Sequence, residues 1–216
     1  LTDFAARRRI MVDSQIRPSD VTRYPIIEAM LHVPREAFVP PDRREAAYLG
    51  ENLRLGPGRV MLEPRTFAKL LEALAIEPGE RVLHVGTGLG YGAAVMARMG
   101  ARVTALEDEP ERAAAARRAL GLHAPGVAVV TGSLAEGAPT AAPFDAILIE
   151  GAIQTLPAAL EAQLVEDGRI AALFAENGLG VARIGRKEAG HVHWRDIFNA
   201  GAPVLPGFEA PRVFVF

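Results

Sequence analysis

The chain has no cysteine among its 216 residues. That absence excludes a disulfide framework, thiolate zinc sites and a thiol nucleophile together, and it fits a reducing compartment. Aromatic residues make up only 6% of the chain, with a single Trp, and no apolar run approaches the length needed to span a bilayer. Nor does one charge dominate: 24 Lys and Arg stand against 26 Asp and Glu, a formal net charge of −2. Without a global positive field, neither nucleic acid nor a membrane surface is expected as a partner. The N-terminus has no secretory core, so the sequence reads as that of a soluble, cytoplasmic protein. Three consecutive arginines, Arg7 to Arg9, read as a solvated helix end. What is present is a chain 50% hydrophobic, of a size for one domain or one domain with an extension.

Residues 1–63 carry helical pieces broken by proline. Ile26, Ile27, Met30 and Leu31 share one helical face ahead of Pro34, Pro40 and Pro41. This segment reads as a helical extension or lid, and residues 64–216 as an α/β domain. Pro64 suits a first helical turn, with Phe67, Leu70, Leu71 and Leu74 as its apolar face. Strands are then expected over 81–85, 102–106, 127–130, 144–149 and 169–174, with helices over 91–99, 110–120 and 156–164. This alternation predicts a mostly parallel sheet with helices on both faces. Residues 181–184, 191–197 and 213–216 read as antiparallel additions at one edge.

The most informative run is Arg81-Val82-Leu83-His84-Val85-Gly86-Thr87-Gly88-Leu89-Gly90-Tyr91-Gly92. A buried strand followed by alternating glycines and then a helix lets backbone approach a nucleotide-like ligand at the strand's carboxyl end. Gly88, Gly90 and Ala93 also satisfy the dinucleotide pattern G-x-G-x-x-A, but that register starts late and leaves Gly86 unused. Glycine at every second position better fits a loop around the amino-acid and ribose portion of S-adenosylmethionine. The next strand ends in Glu107-Asp108, where a carboxylate takes both hydroxyls of an adenosine ribose.

These motifs, with Met11-Val12-Asp13-Ser14-Gln15-Ile16-Arg17-Pro18, Val33-Pro34-Arg35-Glu36-Ala37-Phe38-Val39-Pro40, Pro78-Gly79-Glu80 and Asp167-Gly168-Arg169, make the chain resemble the protein-L-isoaspartate O-methyltransferase family nearly end to end. The resemblance implies a Rossmann-like class I methyltransferase fold with S-adenosylmethionine as cofactor. The implied reaction is methylation of the carboxylate of isoaspartyl residues in damaged protein. It implies a cofactor site of His84, Gly86, Thr87, Gly88, Gly90, Tyr91, Glu107, Asp108, Gly132 and Ser133.

Several positions depart from the family pattern. Its acceptor loop typically reads Gly-x-Gly-Gln-Thr-Ile-Ser-Gln-Pro, against Gly56-Pro57-Gly58-Arg59-Val60-Met61-Leu62-Glu63-Pro64 here. Leu62 replaces the acceptor-site serine, which suggests a different acceptor or a binding protein without catalysis as alternatives. Arg59, in place of glutamine, is expected either to pair with an acceptor carboxylate or to lie exposed on its loop. His84 stands where the family has an acid favouring the cofactor's ammonium group, and Ser133 where it has an adenine-binding aspartate. Conversely, Glu150 ends the fourth strand where the family is neutral. It is expected either to serve as a general base or to supply the carboxylate missing at position 84.

Other chemistry is unsupported. His191 and His193 share a strand face without a third ligand nearby, so no metal site is expected. Ser14, Ser19 and Ser133 are the only serines and none lies in a nucleophile elbow. Trp194, Phe198, Phe208, Phe214 and Phe216 are expected to pack in the core.

Overall fold

Strand β3 (Arg81–Val85) is buried on both faces after its first residue, as a central parallel strand must be. The computed structural model describes residues 3–176 and 178–211. Beside β3 lie β4 (Arg102–Glu107) and β5 (Ala128–Thr131) on one side. On the other lie β6 (Phe144–Ile153), β7 (Leu164–Glu176), β8 (Leu179–Glu188) and β9 (His191–Asn199), giving the order β5-β4-β3-β6-β7-β8-β9. The first five pair in parallel, while β8 and β9 add antiparallel. This is the expected α/β architecture. The strand expected over 213–216, with Phe214 and Phe216, lies outside the described residues.

Alternation along the strands divides the core in two. Val82, Val103, Ala105 and Leu148 join the cluster under helices α3 (Pro64–Leu74), α4 (Tyr91–Arg98) and α5 (Pro110–His123). Leu83, Val85, Leu106 and Ile149 face the opposite cluster, which holds Leu160 of α6 (Ala158–Gln163). Phe67, Leu70, Leu71 and Leu74 of α3 are all fully buried, each stabilising by about 1.5–3 kcal/mol. Phe208 is buried as expected, and Trp194 packs edge-on against Phe174 at 4.8 Å.

The N-terminal segment adds α1 (Phe4–Met11), α2 (Tyr24–His32) and short 3-10 turns. Ile26, Ile27 and Met30 of α2 are buried in the same cluster as α3 and α4, while Leu31 packs partly exposed at its margin. The arginine triplet is not simply solvated. Arg8 is largely buried, donating to the Tyr48 hydroxyl at 3.0 Å and pairing with Glu36 at 3.1 Å. The segment also contains an unexpected hairpin of β1 (Leu53–Gly56) and β2 (Arg59–Met61), which turns at Pro57-Gly58.

At the entry to β3, Glu80 receives both Arg169 amino groups, at 2.7 and 2.8 Å, and Arg169 also donates to Leu74 O and Ala75 O. Burial pushes the Glu80 carboxyl up, but the Arg169 hydrogen bonds and charge more than offset this and hold it below its ordinary range. The Glu80 contribution is therefore complete above the unfolded-state pKa and is lost as pH falls through the lower folded-state value. Glu80→Gln is expected to reduce stability by about 1–2 kcal/mol at pH 7, discounted for partial exposure. Urea denaturation should find that deficit shrinking below about pH 4, once the unfolded-state carboxyl is protonated. A deficit independent of pH would contradict the ion-pair account.

Candidate active site

The carboxyl ends of β3, β4 and β5 meet the middle of β6 at one edge of the sheet, because Val85 pairs with Leu106 and Ile149, and Glu107 with Thr131. Glu150, expected to end the fourth strand, lies within β6, which runs on to Ile153. The chain turns there at Gly86, Gly88 and Gly90, all at positive φ. At Gly88 a side chain is excluded twice over: φ is +60°, and a Cβ would lie 2.7 Å from Leu55 Cδ1 of the hairpin. The Gly88 N–H donates to Glu107 Oε2 at 2.8 Å, tying the glycine loop to the acid that ends β4.

Glu107 is fully buried and bound on both oxygens. Arg59 Nη2 reaches Oε2 at 2.7 Å and Arg112 Nε reaches Oε1 at 3.0 Å. Asp108 accepts from the same two guanidiniums, at 3.5 and 3.3 Å. Burial, with the neighbouring Asp108, pushes the Glu107 carboxyl up against the pull of both arginines. Burial also acts upward on Asp108, but its hydrogen bond with Glu107 and the two arginines hold it below its ordinary range. Arg59 is only 3% exposed, which corrects the expectation of an exposed loop arginine. Gly132 donates to Glu107 O at 3.0 Å, and the neighbouring Ser133 is exposed at the end of β5.

Behind the glycine loop lies a second polar group. His84 is fully buried and its Nδ1 lies 3.0 Å from Thr87 Oγ1. His84 Nε2 lies 2.9 Å from Glu150 Oε2 but off the axis of a hydrogen bond, and it has no other partner. With Thr87 donating to Nδ1, the ring proton lies on Nε2, on the side of Glu150. Gly92 lets α4 approach this pair: a Cβ there would sit 2.6 Å from His84 Cε1 and 3.0 Å from Glu150 Oε2.

Leu62 presents its peptide to this group. Its side chain is fully buried in the core, while its N–H donates to Glu150 Oε1 at 3.1 Å and its carbonyl accepts from Arg35 Nη2 at 2.7 Å. The Arg35 guanidinium lies 4.8 Å from the ring centre of Tyr91, whose hydroxyl is buried without a hydrogen-bond partner. Burial pushes the Tyr91 hydroxyl up, so it stays neutral. Arg59, Gly88, Glu107, Asp108 and Gly132 thus belong to one polar group around Glu107, and Leu62, His84, Thr87 and Glu150 to a second. Gly86 lies between Arg59 and the Glu150 carbonyl, a Cβ on Gly90 would meet only Leu120, and Ser133 lies exposed beyond β5.

Sequence reasoning missed Arg35 and Arg112. The signal for Arg112 was its i, i+4 spacing from Asp108. Arg35 had no local signal beyond its motif, since its partners Ala47 and Leu62 are distant in sequence. His191 and His193 lie exposed on β9. Among the described residues no group of three His, Asp or Glu comes together to hold a metal. No helix among them is long and apolar enough to cross a membrane.

Comparison with known proteins follows the same lines. The family model for protein-L-isoaspartate(D-aspartate) O-methyltransferase matches residues 7–199. The protein-L-isoaspartate O-methyltransferase of Methylorubrum populi is 44% identical over 170 residues, 79% of each chain. The enzyme of that name from Koribacter versatilis is 37% identical over 193 residues, 89% of this chain and 87% of that one. Among solved structures, a protein-L-isoaspartate O-methyltransferase superposes with a TM-score of 0.81 at 23% identity, covering 93% of this chain and 66% of that one. A Plasmodium falciparum protein described by the same name, in complex with S-adenosyl-L-homocysteine, gives a TM-score of 0.79 at 19% identity, with 95% and 99% covered. At these identities the structural likeness establishes the fold, a Rossmann-like methyltransferase sheet. The family match and the identities of 37–44% over most of the chain establish more: the chain belongs to the protein-L-isoaspartate(D-aspartate) O-methyltransferase family.

Proposed function

We propose that this protein methylates the carboxylate of isoaspartyl residues in altered proteins, using S-adenosylmethionine. The observation that carries the proposal is the glycine loop bound through the Gly88 N–H to Glu107, in a chain of this family. The residues suit the cofactor: the glycine loop brings backbone without side chains to the carboxyl end of β3, and a carboxylate ends the neighbouring strand. When bound, S-adenosylmethionine supplies a methyl group activated by its sulfonium. This chain's residues bind and orient.

In this reading Gly86, Thr87, Gly88, Gly90 and Tyr91 form the cradle, Glu107 with Asp108 receives the ribose hydroxyls, and Gly132 with Ser133 borders the adenine. Glu150, held against His84, provides the carboxylate for the ammonium group. An isoaspartyl carboxylate is itself a nucleophile at neutral pH, so alignment supplies most of the rate and no general base is required. Glu150 is accordingly a positioning group, since one oxygen accepts from Leu62 N–H and the other faces His84. With its side chain in the core, Leu62 meets the acceptor side only through its peptide, and Arg59 is the cation nearest to it in the loop. Residues 1–63 act as a lid over the cofactor domain of residues 64–216. The alternatives of another acceptor or of binding without catalysis rest only on the lost hydroxyl at position 62.

A tritiated methyl-transfer assay tests this. The isoaspartyl form of a peptide is expected to take up base-labile label, and its normal aspartyl isomer is not. Absence of label on the isoaspartyl peptide, in a protein that binds S-adenosylhomocysteine, would overturn the acceptor assignment.

A further inference from the structure

The β1–β2 hairpin is held differently at its base and at its tip. At the base, Asn52 Nδ2 donates to Gly201 O at 2.8 Å and Asn52 Oδ1 accepts from Glu63 N at 2.9 Å. The Leu62 peptide next to it is gripped from both sides by Glu150 and Arg35. At the tip, nothing lies within 4 Å of where a Cβ on Gly58 would be. Between the two, the strands are held over the glycine loop by Leu55 against Gly88 and by Arg59 on Glu107 and Asp108. The Arg59 guanidinium has no other hydrogen-bond or ion-pair partner among the described residues. Its Nη2 also lies 3.3 Å from where a Cβ on Gly86 would be, so it covers the glycine loop directly.

This arrangement sets two uses of Glu107 in competition. If Glu107 receives the ribose hydroxyls, as proposed above, Oε2 cannot also keep Arg59. Arg112 on Oε1 leaves Glu107 with one cation after Arg59 departs, so the exchange does not strand a buried carboxylate. The Arg59 guanidinium then needs a new anion. It stands three residues from Leu62 in the acceptor loop, and an isoaspartyl carboxylate matches its fork.

We propose that Arg59 is an exchangeable counter-ion that couples the two substrates. It neutralises Glu107 while the cofactor site is closed and turns to the acceptor's carboxylate when that site is filled. No bond is made or broken in the exchange. Its consequence is an order of binding: the acceptor's cationic anchor becomes available only after Glu107 has exchanged its partner. The proposal rests on the reading of Glu107 as the ribose acid.

Calorimetry with S-adenosylhomocysteine on the wild type, Arg59→Gln and Arg59→Lys tests the first half, and methyl transfer to an isoaspartyl peptide tests the second. Arg59→Gln is expected to bind S-adenosylhomocysteine about fivefold or more tightly than wild type, because no ion pair is lost on binding. Arg59→Lys should fall between them. At saturating S-adenosylmethionine, the KM for the peptide should rise about tenfold or more in Arg59→Gln through loss of a charge-assisted contact. An arginine with a purely structural role predicts the opposite sign, weaker binding of S-adenosylhomocysteine. Equal or weaker binding by Arg59→Gln overturns the exchange and leaves the methyltransferase reading standing. An unchanged peptide KM overturns the acceptor half. Failure of both wild type and Arg59→Gln to bind S-adenosylhomocysteine overturns the cofactor reading together with the exchange.

Discussion

Arg35→Ala is expected to cost about 3–5 kcal/mol of stability, from two carbonyls deprived of a charged donor and from the cavity that the side chain leaves. Arg35 is 1% exposed, and its Nε donates to Ala47 O at 2.6 Å while Nη2 donates to Leu62 O at 2.7 Å. Alanine leaves both carbonyls without these donors and opens a cavity against Tyr91, over which the guanidinium lies at 4.8 Å. Burial pulls the Arg35 pKa down, opposed by Tyr91 and Glu150, so the substitution also removes a positive charge that favours the buried Glu150. Thermal denaturation should fall by on the order of 10 °C for a chain of this length. Arg35→Lys keeps the charge but loses the planar fork, and should recover less than half of the loss. A change below about 1 kcal/mol in Arg35→Ala would show that the Leu62 carbonyl finds another donor and that the clamp is unimportant.

The central sheet was legible because its signals are local. Val82 to Val85 form a short buried run followed by glycines, and each later strand is separated from the next by a turn or helix of recognisable texture. The hairpin was not legible: its strands are four and three residues long, carry Arg54 and Arg59, and gain their order from packing on the glycine loop. Arg59 itself shows where sequence reasoning runs out. Reading its loop gave two options, an acceptor contact or solvent, whereas folding supplies a third, an ion pair with Glu107 across 48 residues. For positions 84 and 150 the sequence was more informative, since a missing acid and an added acid invited comparison. The fold brings those two side chains to 2.9 Å.

That contact predicts the behaviour of His84→Asp. It would place a second carboxylate beside Glu150 in a site where His84 is fully buried and Glu150 is 4% exposed. Aspartate is shorter than histidine, but two carboxylates on adjoining side chains in so buried a site cannot both remain ionised cheaply, so His84→Asp is expected to lose about 3 kcal/mol of stability at pH 8. One carboxyl then has a raised folded-state pKa, so the loss should shrink as pH falls and that group protonates. Glu150→Gln alone should cost about 1 kcal/mol, because its amide oxygen can still accept from Leu62 N–H. The double variant His84→Asp/Glu150→Gln removes the repulsion, and a coupling energy of about 2–3 kcal/mol is expected from the cycle. Binding of S-adenosylhomocysteine separates charge from shape in the same set. If a carboxylate at this edge attracts the ammonium group, Glu150→Gln should weaken binding by about tenfold, and the double variant, with its acid moved to β3, should recover most of that loss. Glu150→Gln binding as tightly as wild type would leave Glu150 as a clamp on Leu62 alone. Recovery in the double variant would mean that the carboxylate can be carried by either of two adjacent strands, provided that only one of them carries it.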